Sequence, residues 1–195
     1  LSDKAVPTPL VSLAIKNKGL SGGLMLTASH NPPYYNGLKI KAPYGGSADE
    51  GITKSVESLL GKNPVRSIEF KKAIESGMIE LVDIKKDYIK FVKSYIDMKH
   101  LKNAKINVLV DCMHGVGDGY IPEILKGTKI KITQMRTGRD PLFGGINPEP
   151  IPKNLEATFK TMKDRKSKYG ICIVNDGDAD RIGAVTPGGK FLGAG

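Results

Sequence analysis

Buried-strand and amphipathic-helix patterns alternate along this chain of 195 residues, and that alternation constrains its fold more than any other feature. Apolar runs typical of buried strands occupy residues 23–27, 106–110, 130–135 and 170–174. Between such runs, apolar residues recur at three- and four-residue spacing, most clearly in the helix predicted around residues 88–96. Strands that alternate with helices predict an α/β fold with a mainly parallel sheet.

The chain divides into two units near residue 82, where its composition changes. Gly77 and an apolar run at residues 78–82 come before this point, and the amphipathic helix begins after it. Each side has its own strand and helix patterns, as expected of layered α/β structure. We therefore predict two three-layer α/β/α units with mainly parallel mixed sheets, one formed by residues 1–82 and the other by residues 83–195.

The net charge of +10 raises the question of a polyanionic partner. Of the 30 basic residues only five are arginines, and the lysines are spread through helix-like stretches without interleaved aromatic residues. Proteins that bind nucleic acids specifically tend to concentrate arginine and aromatic side chains. The composition predicts a solvated lysine-rich face and no nucleic-acid partner, although a basic surface also attracts anionic metabolites such as sugar phosphates.

Two further features bear on the cellular compartment. No run of about 18 apolar residues is present, so we expect no membrane partner. The two cysteines, Cys112 and Cys172, lie in or beside apolar runs and make no disulfide framework. Buried free thiols of this kind are typical of a reducing compartment, which predicts a cytoplasmic protein.

Three carboxylates at alternate positions form the sharpest chemical feature of the sequence. Asp176, Asp178 and Asp180 directly follow the strand predicted at residues 170–174. Open α/β sheets place their ligands past the carboxyl ends of strands, and three close carboxylates repel one another unless a cation joins them. The pattern predicts a site for a hard cation such as Mg²⁺, with a solvated acidic turn as the alternative. Arg181 then places a donor for phosphate oxygens beside the metal.

A second polar segment, residues 27–32, follows the strand predicted at residues 23–27. Taken alone, its Ser, Asn and Pro residues predict a turn whose side chains cap the backbone. A serine that carries a phosphoryl group would instead need an exposed hydroxyl, a nearby cation and hydrogen-bond donors. His30, Asn31 and Lys39 are the candidate donors around Ser29.

Three motifs, in this order, resemble the α-D-phosphohexomutases, a family that includes phosphoglucomutase, phosphomannomutase and phosphoglucosamine mutase. They are TASHNP at residues 27–32, NGLK at residues 36–39 and DGDADR at residues 176–181. Residues 7–9 and 111–115 also resemble family segments, so that the resemblance covers nearly the whole chain.

The resemblance implies a role for each matching residue. It implies that Ser29 carries a phosphoryl group and that the ligands of Mg²⁺ are Ser29, Asp176, Asp178 and Asp180. The residues that it implies for phosphoryl transfer, for proton handling or for the flanks of the phosphoserine are His30, Asn31, Lys39 and Arg181. The implied substrate is a hexose phosphate, of glucose or mannose, whose 1- and 6-phosphates interconvert through a hexose 1,6-bisphosphate.

Family members have four domains and are more than twice as long as this chain, which begins with Leu1 rather than Met. The resemblance therefore implies a truncated first domain followed by the second, with domains III and IV of the same enzyme outside the chain. In the family, the third domain carries the sugar-selecting loop and the fourth carries a loop that anchors phosphate. We expect residues 1–195 alone to show no mutase turnover.

Two other functions compete with this interpretation. An apolar strand followed by Asp176-x-Asp178 is similar to the haloacid dehalogenase phosphatases and mutases, in which the first aspartate is the nucleophile. Against that, Asp180 stands where Thr or Val is usual, and little chain follows for the later motifs. The non-enzymatic alternative is a basic metal-binding module.

Overall fold

The computed structural model describes residues 1–193, in which strands and helices alternate over residues 107–175, as the sequence predicts, whereas residues 50–102 contain four successive α-helices and residues 171–193 three successive strands. The helices are α1 (Thr8–Lys18), α2 (Glu50–Glu57), α3 (Phe70–Glu75), α4 (Lys85–Tyr95), α5 (Met98–Lys102), α6 (Tyr120–Ile124) and α7 (Glu156–Lys163). The strands are β1 (Gly23–Leu26), β2 (Leu38–Lys41), β3 (Asn107–Asp111), β4 (Lys131–Met135), β5 (Ile171–Asn175), β6 (Ile182–Val185) and β7 (Phe191–Gly193). Residues 194 and 195, at the end of the predicted second unit, lie outside the described residues.

The strands of the second unit form one mixed sheet in the order β4-β3-β5-β6-β7. β3 pairs in parallel with both β4 and β5, whereas β6 and β7 are antiparallel additions beyond β5. Helices α6 and α7 lie in the connections between the parallel strands, as parallel pairing requires. The α/β fold class is confirmed. The sequence patterns predict neither β6 nor β7, which are four and three residues long.

β3 lies inside the sheet of the second unit, and both of its faces are buried. Leu109 packs on one face in an apolar cluster that also contains Met113 and Leu155. Val108 and Val110 pack on the other face. Since alternate residues of a strand point to opposite faces of the sheet, this single strand contributes to two apolar clusters.

The first unit contains a smaller sheet, in which β1 pairs only with β2 and the pairing is antiparallel. The difference from the expected mainly parallel sheet follows from the connection. Residues 27–37 contain no helix, and a parallel pair would need a crossover of a dozen or more residues. The hairpin places the serine segment and Lys39 close together at one end of β1.

Contacts on both sides of residue 82 hold the predicted boundary. Within the first unit, the backbone N–H of Val82 donates to the carbonyl of Leu1 at 2.9 Å, and Val82 forms an isolated parallel bridge with Ser2. Leu10 of α1 packs in one cluster with Ile84 and with Ile89 of α4. The first unit therefore shares its main apolar cluster with the second, and the domain boundary itself stays a prediction.

Within residues 1–193, no helix combines the length and the apolar composition that crossing a bilayer demands.

Candidate functional site

The carboxylate cluster lies where the sequence predicts it, immediately after β5. One carboxylate oxygen from each of Asp176, Asp178 and Asp180 lies within 4.8 Å of the others. Asp176 and Asp178 are buried, and Asp180 faces solvent. Three hard oxygen donors at this separation could hold one metal ion.

Asp176 organises the loop that carries the cluster. Its Oδ1 accepts hydrogen bonds from the backbone N–H groups of Asp180 and Arg181, both at 3.0 Å. Ala179 between them takes a left-handed conformation, with φ at 53°. This turn brings the chain back so that the second oxygen of Asp176 stays free for other partners.

The serine segment reaches the same place from the first unit. The Oγ of Ser29 lies 3.4 Å from Oδ1 of Asp178 and 3.5 Å from Oδ2 of Asp176. The Ser29 backbone is left-handed, with φ at 54°, and its N–H donates to the Thr27 hydroxyl at 2.8 Å. Non-glycine residues held in this conformation cluster at functional sites.

Asp178 is the residue on which the two units converge. Its Oδ2 accepts from the hydroxyls of Thr8 at 2.8 Å and Thr27 at 3.1 Å, and from Nζ of Lys39 at 2.9 Å. Lys39 also donates to Asp180 at 3.0 Å. The structure therefore brings together Ser29, Lys39 and the three aspartates, from segments more than 130 residues apart.

The serine segment and the loops after β3 and β5 approach one another closely because Gly115 and Gly177 lie where they meet. A Cβ on Gly177 would come within 2.6 Å of the Ser29 carbonyl oxygen, and a Cβ on Gly115 within 2.7 Å of the Gly177 carbonyl oxygen. Gly177 also donates its N–H to the carbonyl of Pro148 at 3.1 Å. Any side chain at position 177 would push the serine segment away from the carboxylates.

The electrostatics of the cluster favour a cation. Burial, together with the charges of Asp178 and Asp180, raises the pKa of Asp176 to about 7, although the backbone N–H of Arg181 opposes that rise. Burial acts in the same direction on Asp178, but hydrogen bonds from Lys39 and Thr8 outweigh it and lower its pKa. Burial alone would lower the pKa of Lys39, and its two carboxylate partners raise it. The Lys39 ammonium already bridges two carboxylates, as a bound cation would.

The other predicted site residues lie nearby with fewer contacts. Nε2 of His30 is 3.7 Å from Oε1 of Glu149, a residue of the loop between β4 and α7. Asn31 is exposed and borders a cavity of about 570 Å³ beside Ser29. The backbone of Arg181 contacts Asp176, while its side chain is exposed and makes no ion pair within residues 1–193.

Three residues of the site are absent from the sequence-based predictions. Thr8 and Thr27 hold Asp178, and Glu149 faces His30. Thr8 lies in the segment at residues 7–9 and Thr27 in the TASHNP motif, so both threonines belong to segments that resemble the family. Glu149 lies in no such segment, and a loop carries it across from another part of the chain.

Fold and site together define an α/β protein in which a serine hydroxyl lies beside a carboxylate cluster suited to a metal ion. The description "Phosphoglucomutase/phosphomannomutase, alpha/beta/alpha domain II" matches residues 86–189, and the domain I description of the same family matches residues 1–66. The chain belongs to the phosphoglucomutase/phosphomannomutase family.

Individual relatives are also named as mutases. A probable phosphoglucosamine mutase from Methanothermobacter thermautotrophicus is 33% identical over 95% of this chain and 39% of its own length. A phosphoglucomutase from Neisseria meningitidis serogroup B is 32% identical over 96% of this chain and 38% of its own. A crystal structure from Thermus thermophilus, provisionally named a phosphomannomutase, is 38% identical, with a TM-score of 0.88 over 98% of this chain and 42% of its own. The chain thus spans about 40% of the length of these relatives.

Proposed function

We propose that this chain forms the phosphoserine and metal-binding part of a mutase that interconverts hexose 1-phosphates and hexose 6-phosphates. The observation that carries the proposal is the convergence of the Ser29 hydroxyl, the Lys39 ammonium and the three aspartates at one point. Relatives named for mutases of glucose, mannose and glucosamine phosphates support the substrate class. Within that class we propose glucose or mannose phosphate as the substrate of the whole protein.

The proposed reaction begins with a phosphoryl group on Ser29. A free sugar hydroxyl attacks the phosphorus, a P–O bond to the sugar forms and the P–O bond to Ser29 breaks, while the sugar hydroxyl gives up its proton and the Ser29 oxygen takes one up. The product is a hexose 1,6-bisphosphate. After this intermediate turns over, its other phosphoryl group returns to the Ser29 oxygen and leaves the isomeric monophosphate.

Lys39 is the proposed acid/base residue and charge partner. Its Nζ lies within hydrogen-bond distance of two of the carboxylates that surround Ser29. The ammonium can stabilise negative charge on the transferring group, and Nζ can hold a proton between the two half-reactions. Arg181, with His30 and Asn31 beside Ser29, would supply further donors to phosphate oxygens.

The residues fit a magnesium ion. Asp176, Asp178, Asp180 and the phosphorylated Ser29 would hold it, because all four offer hard oxygen donors. When bound, Mg²⁺ supplies a Lewis acid that neutralises charge on the phosphoryl oxygens. Burial, and to a smaller extent the charges of Asp178 and Asp180, raises the pKa of Asp176, and a bound cation would offset both effects.

Phosphoryl transfer to Ser29 is the direct test. Residues 1–195 are incubated with glucose 1,6-bisphosphate and Mg²⁺, and phosphopeptides are identified by mass spectrometry. We expect an acid-stable phosphate on Ser29, its loss in Ser29→Ala, and its retention in Ser58→Ala, which removes an exposed hydroxyl from the same unit. An acid-labile phosphate on Asp176 would support the haloacid dehalogenase chemistry instead. No phosphorylation at all would contradict both.

Lys39→Met tests the role of the ammonium separately. We expect the rate of Ser29 phosphorylation to fall by about 100-fold or more, the usual range for a general acid or base, while magnesium affinity shows no comparable loss, because the ammonium competes with the metal for Asp178 and Asp180. Rates are followed by intact-mass spectrometry and affinity by calorimetry. Equal losses in rate and affinity would refute the assignment.

We propose complete turnover for the whole protein and not for this chain alone. The chain spans about 40% of the length of the relatives that it matches. From the resemblance we expect sugar selection and distal phosphate anchoring to belong to domains III and IV. We therefore expect no conversion of glucose 1-phosphate by residues 1–195 alone, and robust conversion in a coupled assay would contradict that division of labour.

A further inference from the structure

Glu149 lies beside the candidate site without a role in the reaction described above. Its carboxylate belongs to the loop between β4 and α7, and Oε1 is 3.7 Å from Nε2 of His30. Both side chains are largely shielded, with exposures of 24% for Glu149 and 29% for His30. A carboxylate that accepts a hydrogen bond from an imidazole N–H orients the histidine in many enzymes, and Glu149 lies slightly beyond that distance from His30.

The backbone around Glu149 is held firmly. The side-chain amide of buried Asn154 donates to the Glu149 carbonyl at 3.0 Å, and the Glu149 N–H donates to the carbonyl of Asn147 at 2.8 Å. The neighbouring Pro148 accepts the N–H of Gly177 at 3.1 Å. The loop that carries Glu149 is therefore tied to the metal loop at the point where that loop meets the Ser29 backbone.

The second ring nitrogen of His30 decides which tautomer this environment favours. Nδ1 is buried and has no hydrogen-bond partner within residues 1–193. A proton on Nδ1 would be a buried donor without an acceptor, which is costly, and Nε2 would then present a lone pair to the Glu149 carboxylate. A proton on Nε2 removes both problems, because it points toward an acceptor.

We propose that Glu149 is a positioning residue for His30: in the neutral form of the ring the proton lies on Nε2 and points toward the Glu149 carboxylate. Nδ1 is then left as a hydrogen-bond acceptor on the residue next to Ser29. The present separation exceeds a hydrogen bond, and such contacts often tighten when a ligand binds. The consequence for phosphoryl transfer rests on the function proposed above.

Ring nitrogen spectra test the tautomer without reference to activity. Long-range ¹H–¹⁵N correlation spectra are recorded for residues 1–195 at pH 8.5, where histidine rings are ordinarily neutral. For His30 we expect a protonated Nε2, an unprotonated Nδ1 and a directly visible Nε2–H signal. His100 and His114 serve as internal references. A proton on Nδ1, or the absence of the Nε2–H signal, would overturn the proposal.

Substitutions at Glu149 then test the cause. Glu149→Ala should abolish the Nε2–H signal, because solvent exchange becomes fast without an acceptor, whereas Glu149→Gln should retain it through the amide oxygen. Glu156→Ala, which removes an exposed carboxylate at the start of α7, is the matched control. Backbone amide spectra report whether each variant is folded. An unchanged His30 signal in folded Glu149→Ala would show that Glu149 does not hold the ring.

Phosphorylation of Ser29 by glucose 1,6-bisphosphate links the geometry to function. Loss of a residue that orients a site group typically costs 10–100-fold, so we expect Glu149→Ala to slow phosphorylation by about 10-fold or more and Glu149→Gln to restore most of the rate. Equal rates in wild type and Glu149→Ala would remove the functional consequence. If wild type itself is not phosphorylated, the proposed function fails, while the spectra still decide the tautomer.

Discussion

The two units contribute to the same site but differ in how they are stabilised. In the second unit β3 is buried on both faces, and its residue Val110 has no exposed surface. In the first unit β1 alternates between half-buried and exposed residues, with Leu24 at 64% and Leu26 at 73% exposure, and α2 buries no residue at all. Apolar burial is the main favourable contribution to folding, so the described first unit contributes far less stability of its own.

The position of Ser29 nevertheless depends on the second unit. Thr8 and Thr27 of the first unit donate to Asp178, and the N–H of Thr8 donates to the Asp178 carbonyl at 3.0 Å. Gly177 lies against the Ser29 backbone. The well-packed second unit therefore supplies fixed hydrogen-bond partners, and the weakly packed first unit is held against them in a way that positions Ser29.

The largest expected effect comes from breaking the buried ion pair of the second unit. Asp111, at the end of β3, is fully buried and pairs with Arg136, whose Nε donates at 2.7 Å. Arg136→Met leaves that carboxylate without its charged partner, and we expect a loss of about 3–5 kcal/mol in the free energy of unfolding. Urea denaturation measures the loss.

Arg165→Met is the matched control, since Arg165 is exposed and forms no ion pair within residues 1–193. Its expected effect is within about 0.5 kcal/mol. If both variants lost the same stability, the second unit would not depend on the Asp111 pair.

A pair of leucine substitutions compares the two units directly. Leu109 on β3 is 1% exposed and Leu24 on β1 is 64% exposed. We expect Leu109→Ala to destabilise the chain by about 2–5 kcal/mol, because it removes buried methyl groups and leaves a cavity. Leu24→Ala should cost no more than about 0.5 kcal/mol. Thermal denaturation measures the stability loss of each variant. A larger loss for Leu24→Ala than for Leu109→Ala would show that the contacts of β1 stabilise the chain more than those of β3.

The smallest expected effect is the pH dependence that the thiols contribute. Burial raises the pKa of Cys112 from 9.0 to about 11 and that of Cys172 to about 12. At pH 8 both thiols stay protonated in the folded chain, and we expect Ellman's reagent to react with them slowly until denaturant is added. Rapid reaction of either thiol in the native chain would mean that the second unit opens readily.

The raised pKa values of the two thiols also determine whether stability rises or falls with pH. Above about pH 9 the thiols of the unfolded chain lose protons while the folded thiols keep theirs. Stability should therefore fall as the pH rises from about 9 toward 11. Denaturation of a Cys112→Ala, Cys172→Ala double variant, which lacks this contribution, provides the reference.

Local patterns in the sequence predicted much of the fold. The helix predicted around residues 88–96 overlaps α4, and the apolar runs at 106–110 and 170–174 correspond closely to β3 and β5. These elements carry their own periodicity, so a short window of sequence contains the information. The antiparallel pairing of β1 with β2 contains no such local signal, because β2 is four residues long and its pattern resembles a polar loop.

By itself the sequence determined the fold class, the family and the residue types of the site, since strand spacing, the DGDADR run and the TASHNP motif are all local features. Only the tertiary structure decided that Thr8, Thr27 and Lys39 meet on Asp178 and that Glu149 faces His30. The physical reason is that these contacts join segments more than 100 residues apart, and their geometry follows from how the loops after β1, β3 and β5 and the loop that carries Pro148 pack around Gly177.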